Sequence, residues 1–166
     1  ELQRVRQLSS DPAVAEFFET LRLLTVETRD AARDQLRRYL SLRDGYLPVL
    51  EKVLRDFADE TAVLAHLHEA FADESYQNFS HLAGLAYLAA YYGDDDLALA
   101  CLRRAYVDMR GVTIVVIWHP LFARLRGTDA FKQLVRDTGH YDYWRATGNW
   151  GDFARPLGDD DFELIA

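Results

Sequence analysis

A repeat with a period of 35 residues constrains this chain more than any other feature. Leu47, Leu50, Leu54, Val63, Leu67 and Ala70 form one spacing pattern, and adding 35 to each number gives Leu82, Leu85, Ala89, Ala98, Leu102 and Ala105. Six apolar positions superpose on six, with small residues recurring where helices would cross closely. A period of this length marks units that cannot bury their apolar faces alone and stack on their neighbours. At 166 residues the chain is long enough for one sizeable core and reads as a single domain.

The spacing within each unit is helical. Asp11 before Pro12 predicts an N-cap with proline at the first helical position, and Val14, Phe17, Phe18, Leu21 and Leu24 then recur at intervals of three and four. A second helix follows over about 30–42, with Ala32, Leu36, Tyr39 and Leu40 on one side and Gly45 ending it. Pro48 is tolerable only in the first turn of the next helix, and Asp59 caps the one after it. Residues 76–92 leave almost no polar face, which predicts a helix buried on most sides. Gly93 suits a left-handed stop and Asp94 the following N-cap. Three antiparallel hairpins result, at about 12–42, 45–72 and 76–109. The β-branched run Gly111–Trp118 predicts a buried extended connection, since a lone strand has no ladder to join, with a helix as the lesser alternative. Residues 119–126 and 128–138 read as two short helices ended by Gly139. The aromatic segment from His140 onward completes a capping segment at 119–166.

Charge narrows the function. The chain carries 19 basic and 27 acidic side chains, a formal net charge of −8. Residues 56–100 hold nine acidic and no basic side chains, which argues against a phosphate backbone lying there. Arg29, Arg33, Arg37 and Arg38 make the best case for nucleic acid, but Asp30 and Asp34 on the same helix can pair with them. No apolar run approaches the roughly 18 residues of a membrane span, and residues 1–20 do not read as a signal peptide. The chain begins at Glu1, which suggests a part excised from something longer.

The second copy resembles a tetratricopeptide repeat, with Leu82, Leu85 and Ala86 in its first helix, Gly93-Asp94 at the turn, and Ala98, Leu102 and Ala105 in its second helix. It departs from that pattern at Ala89, where a large aromatic is expected, and at Arg110, where the terminal proline is expected. The first copy carries Glu51 in place of a small residue and Ala58 in place of the turn glycine. The stretch His119-Pro120-Leu121-Phe122-Ala123-Arg124-Leu125-Arg126, then Asp129-Ala130-Phe131 and Tyr143-Trp144-Arg145, resembles the ending of bacterial tetratricopeptide-containing signalling proteins. The resemblance covers about residues 45–155. It implies an all-α, right-handed superhelical array of helix hairpins with a C-terminal capping segment. It further implies a cytoplasmic bacterial domain that senses or recruits for an effector module, a winged-helix or nucleotide-cyclase part in that group.

Catalytic chemistry finds little support in the residues. His66 and His68 point roughly 200° apart on a helix and cannot share a metal, and His68-Glu69 lacks the second histidine of a zinc-protease helix. His81, His119 and His140 have no evident nucleophile beside them, and Cys101 lies on an apolar helix face. Asp94-Asp95-Asp96 and Asp159-Asp160-Asp161 lack calcium-loop spacing. The sequence therefore indicates no catalytic residue, no metal site and no cofactor.

The remaining site is the concave groove that the resemblance implies, lined by Lys52 and Arg55 from the first copy and Tyr87 and Tyr91 from the second; the other reading of the two tyrosines is that they pack against the neighbouring hairpin. Aromatic and cationic lining suits a peptide or protein partner with an acidic group. The expected function is thus a non-catalytic interaction or regulatory domain, and the alternative is a small-ligand sensor with an apolar cavity near Trp118. Tyr141, Tyr143, Trp144, Trp150 and Phe153 seal the array's end or form a ligand pocket or homodimer surface. Residues 162–165 offer a docking segment for a neighbouring chain.

Overall fold

The computed structural model describes residues 28–42, 48–111 and 114–165, together with 19, 20, 22, 24 and 25. It is mostly helical, with one two-stranded sheet. The chain divides into two compact units, residues 1–76 and 77–166, where the sequence reads as one domain. The boundary falls between the second and third expected hairpins.

In the first unit, α1 (Arg29–Leu42), α2 (Val49–Arg55) and α3 (Glu60–Ala72) pack in order, α1 on α2 and α2 on α3. Helix α1 buries Ala32, Leu36 and Tyr39, the stripe its periodicity predicts. Pro48 occupies the N-cap of α2, where its missing N–H costs nothing. Asp59 caps α3 by accepting the Ala62 N–H at 3.0 Å. Val49, Leu50, Val53, Leu54, Phe57, Val63, Leu67 and Ala70 are all buried. Most of the first expected hairpin before residue 28, and the Gly45 break, lie outside the described residues.

The second unit opens with α4 (Phe79–Tyr91) and α5 (Asp95–Arg103), a hairpin turned by Gly93 at φ 84°. Glycine takes this left-handed conformation without steric penalty. Asp94 then caps α5 by accepting the Leu97 N–H at 2.9 Å. Leu82, Ala83, Leu85, Ala86, Tyr87, Leu88, Ala89 and Ala90 are all buried, as the missing polar face of this helix requires. Helix α5 runs directly into a π turn over Arg104–Asp108, closed by the Met109 N–H on the Arg104 carbonyl at 3.1 Å.

The β-branched run is where expectation and structure part. Ile114–Trp118 forms a 3-10 helix, not an extended connection, while residues 112 and 113 lie outside the described residues. With no strand among the described residues pairing with it, its backbone satisfies itself locally through i→i+3 bonds, as in the His119 N–H to the Val116 carbonyl at 3.1 Å. Ile117 is fully buried. A second 3-10 turn (Pro120–Phe122), α6 (Ala123–Arg126), α7 (Asp129–Asp137) and α8 (His140–Thr147) follow.

The capping segment ends in a hairpin, β1 (Ala154–Leu157) against β2 (Asp161–Leu164), antiparallel with Pro156 opposite Phe162. The described residues are thus mostly helical, as expected, with this small sheet added in the capping segment. Lys132 and Arg136 of α7 hold Asp161 at 2.9 and 3.0 Å, and Arg155 pairs with Glu163 across the strands. Phe162 is fully buried among Tyr141, Trp144 and Trp150. It anchors the hairpin in its own unit and is not offered to a neighbouring chain. Pro156, lacking an N–H, also removes a donor from β1.

Candidate binding cleft

The residues expected to line a peptide groove take separate places. Lys52 and Arg55 are exposed on the first unit, paired with Glu69 at 3.2 Å and with Asp56 at 3.2 Å. Tyr87 belongs to the second unit's core. Its side chain is 4% exposed, stacks on Phe122 at 5.3 Å and meets the His119 ring edge-on at 5.0 Å. Burial raises its phenol above the ordinary value. A ring so enclosed cannot form a groove wall, which corrects the assignment of Tyr87. Tyr91 is half-buried and packs edge-on against Tyr92 at 5.0 Å.

The other chemistry-bearing groups are also bound into the fold. His66 meets Asp56 at 2.8 Å in the first unit. That contact first, and Arg55 second, hold the Asp56 carboxyl below the usual range. His119 caps the Pro120–Phe122 turn, its Nδ1 accepting the Leu121 N–H at 3.2 Å. Burial, and then the Arg126 charge, pull its pKa down to about 4. Arg126 is itself 5% exposed and donates to the Trp118 and His119 carbonyls at 3.3 and 3.1 Å. It thereby clasps the end of the 3-10 helix. Cys101 is fully buried, and burial followed by the Asp94 charge pushes its thiol up to about 12. A thiol so shifted is not a nucleophile. Arg29 and Arg37 of the basic stripe pair with Glu60 at 3.4 Å and Asp34 at 3.1 Å. Among the described residues no three His, Cys, Asp or Glu side chains group to hold a metal ion. Nor is any helix there long and apolar enough to cross a membrane.

The aromatic residues of the tail pack on one another. Trp118 stacks on Phe153 at 5.0 Å and lies against Phe131 and Trp144 at 6.5 and 6.2 Å. Side chains fill this region. Tyr143, Phe153 and Leu157 remain exposed.

The second unit also holds a cleft of about 660 Å³, bounded by the π turn on one side and the α7–α8 corner on the other. Tyr106, Val107, Arg110 and Gly111 line the first side, and Asp137, Thr138, Gly139 and His140 the second. The widened π turn shifts the register of the helix end, and such turns recur at functional sites. The chain then leaves the helix through Arg110, the one described non-glycine residue with positive φ, at 54°. Gly111 follows because a Cβ there would overlap the Phe79 ring and approach the Ala105 carbonyl to 2.8 Å. Its N–H donates to that same carbonyl at 3.0 Å and locks the exit.

Across the cleft, Asp137 is paired with Arg103 at 2.7 Å and accepts the Gln133 amide at 2.7 Å. These contacts, the Gln133 bond foremost, hold its carboxyl below the usual range. Thr138 spends its one hydroxyl proton on the Val135 carbonyl at 2.9 Å, and its Oγ1 lies 2.8 Å from His140 Nδ1. The hydrogen bonding thus assigns the imidazole proton to Nδ1 and leaves Nε2 with its lone pair. Burial lowers the pKa of His140, which favours the neutral ring.

Of these residues only His140 stands out in the sequence, as a histidine beside Tyr141 and Asp142. Arg110 stands in the sequence as a departure from the repeat, at the place of the terminal proline. That departure is the signal for the cleft, although a π turn leaves no trace in hydrophobic spacing. Comparison with protein-family models, with curated proteins and with solved structures finds no match to this chain.

Proposed function

We propose that this chain is a non-catalytic interaction and regulatory domain, built on a tetratricopeptide-like right-handed array, and that the cleft beside Arg110 contacts a peptide segment of a protein partner. A role in a cytoplasmic bacterial signalling protein follows from the resemblance of residues 45–155 and belongs to the same proposal. The observation that carries it is the mixed lining of the cleft. Val107 and the edge of Tyr106 offer apolar contact, Arg110 offers a cation, and His140 offers an acceptor. The polar groups a hydrolase would use are already engaged, Thr138 on a backbone carbonyl and Asp137 in an ion pair.

The volume of the cleft also lies within the range of small-molecule sites, which favours a small-ligand sensor as the second reading. Affinity capture separates the two. Wild-type protein is compared with Val107→Glu in the cleft and with Ala146→Glu on the exposed face of α8. A protein partner retained by Ala146→Glu and lost by Val107→Glu, at unchanged thermal stability, is the expected result. Equal retention by both variants contradicts the proposal.

A further inference from the structure

We infer that the cleft selects an acidic side chain of the bound segment and that Arg110 is the residue that recognises its carboxylate; this rests on the cleft being the contact surface proposed above. The charge balance comes first. Three lining residues can carry charge: Arg110, Asp137 and His140. Asp137 is neutralised by Arg103 at 2.7 Å, and His140, bound through Nδ1 to Thr138, is uncharged near neutral pH. Arg104, on the same π turn, is occupied by Gln77 at 3.0 Å and by Asp108 at 3.7 Å. Arg110 makes no ion pair among the described residues, so the lining keeps one uncompensated positive charge.

The backbone of Arg110 supports the same assignment. A left-handed conformation disfavours any residue with a Cβ, and a helix exit of this kind ordinarily carries glycine. Here the strained position carries the longest cationic side chain, and its conformation is fixed by the Gly111 N–H on the Ala105 carbonyl and by the Phe79 ring against Gly111. Strain held in this way collects at ligand-binding positions. A guanidinium on a fixed backbone presents parallel donors that match the two oxygens of a carboxylate. One positive charge balances one carboxylate, whereas a doubly charged phosphate would leave a negative charge beside Asp137. Val107 and Tyr106 line the cleft beside this cation, so the acidic residue is flanked by an apolar one.

The test uses isotopically labelled full chain titrated with N-acetylglutamate amide and, in parallel, N-acetylglutamine amide. The blocked glutamate is expected to cause saturable amide shifts at Arg110, Gly111 and His140, and the blocked glutamine none. Arg110→Gln should weaken the interaction about tenfold or more, the loss of one charge-assisted pair. Arg110→Lys, which keeps the charge without the fork, should fall between. Arg110→Gly should raise the melting midpoint by about 2–4 °C by relieving the left-handed strain, while abolishing the shifts. Equal shifts from glutamine, unchanged shifts in Arg110→Gln, or no saturable shift at all overturns the inference. If Val107→Glu still abolishes partner capture in that case, the cleft reading stands without it. Capture that ignores Val107→Glu overturns the reading itself.

Discussion

The α2–α3 and α4–α5 hairpins are two answers to one apolar spacing. At a distance of 35 residues, Leu50 and Leu85, Leu54 and Ala89, Phe57 and Tyr92, Val63 and Ala98, Leu67 and Leu102, and Ala70 and Ala105 are all buried. The caps follow the same period, since Asp59 accepts from Ala62 and Asp94 from Leu97. The hairpins part at their ends. Helix α3 stays regular to Ala72 and stops at an extended Asp73 with ψ 127°. The equivalent stretch of the second hairpin widens into the π turn and leaves through a left-handed Arg110. Shared spacing thus builds the core, and the candidate site arises where the second copy departs from the first.

The largest effects test the shared part. Leu67→Ala and Leu102→Ala each remove a fully buried side chain, and each should cost about 2–5 kcal/mol in urea denaturation. A negligible loss at either position would break the equivalence.

Acid should separate the units next. His119 has its pKa pulled to about 4 in the folded chain, against about 6.5 when unfolded. The unfolded state therefore gains a proton that the folded state refuses. Stability is full above pH 6.5 and falls, by up to about 3 kcal/mol, as the pH drops towards 4. The Asp56 carboxylate of the first unit loses its contribution in the same direction but only at lower pH. A depressed carboxylate keeps its contribution until the pH passes below its ordinary value and through its lower folded one. Unfolding followed by tryptophan fluorescence, which all three tryptophans of the second unit report, should weaken from pH 6.5 to 4.5. His119→Asn, which keeps a capping acceptor without a titrating ring, should flatten that dependence. An unchanged slope in the variant would remove His119 as its cause.

The smallest effects sharpen the comparison. Asp59→Ala and Asp94→Ala should each cost about 1 kcal/mol, because each leaves one helix-end N–H without its acceptor. Losses differing by more than about twofold would show that the two caps sit in unlike surroundings despite equal spacing.

These pairs also show what could be read from the residues. Apolar spacing and N-cap chemistry are local, so the helices, the Gly93 turn and the burial of Cys101 were legible. The 3-10 helix at Ile114–Trp118 was legible only as the lesser alternative, because β-branched residues prefer an extended backbone and a partner strand decides whether they keep it. The β1–β2 hairpin escaped notice because its anchor, Phe162 among Tyr141, Trp144 and Trp150, is a tertiary fact. Tyr87, open to a groove reading and a packed one, was left undecided for a related reason. Helical position alone assigns a residue to a face, and the rings of His119 and Phe122, more than thirty residues later, decide whether that face is open. Arg110 was visible as an irregularity, but only the backbone reveals the cleft beside it.

Hydrogen–deuterium exchange on the captured complex of chain and partner tests the central claim most directly. Binding is predicted to slow exchange at residues 106–111 and 137–140, the two sides of the cleft, with smaller changes over 49–72. Protection confined to 49–72, with 106–111 and 137–140 exchanging as in the free chain, would contradict it.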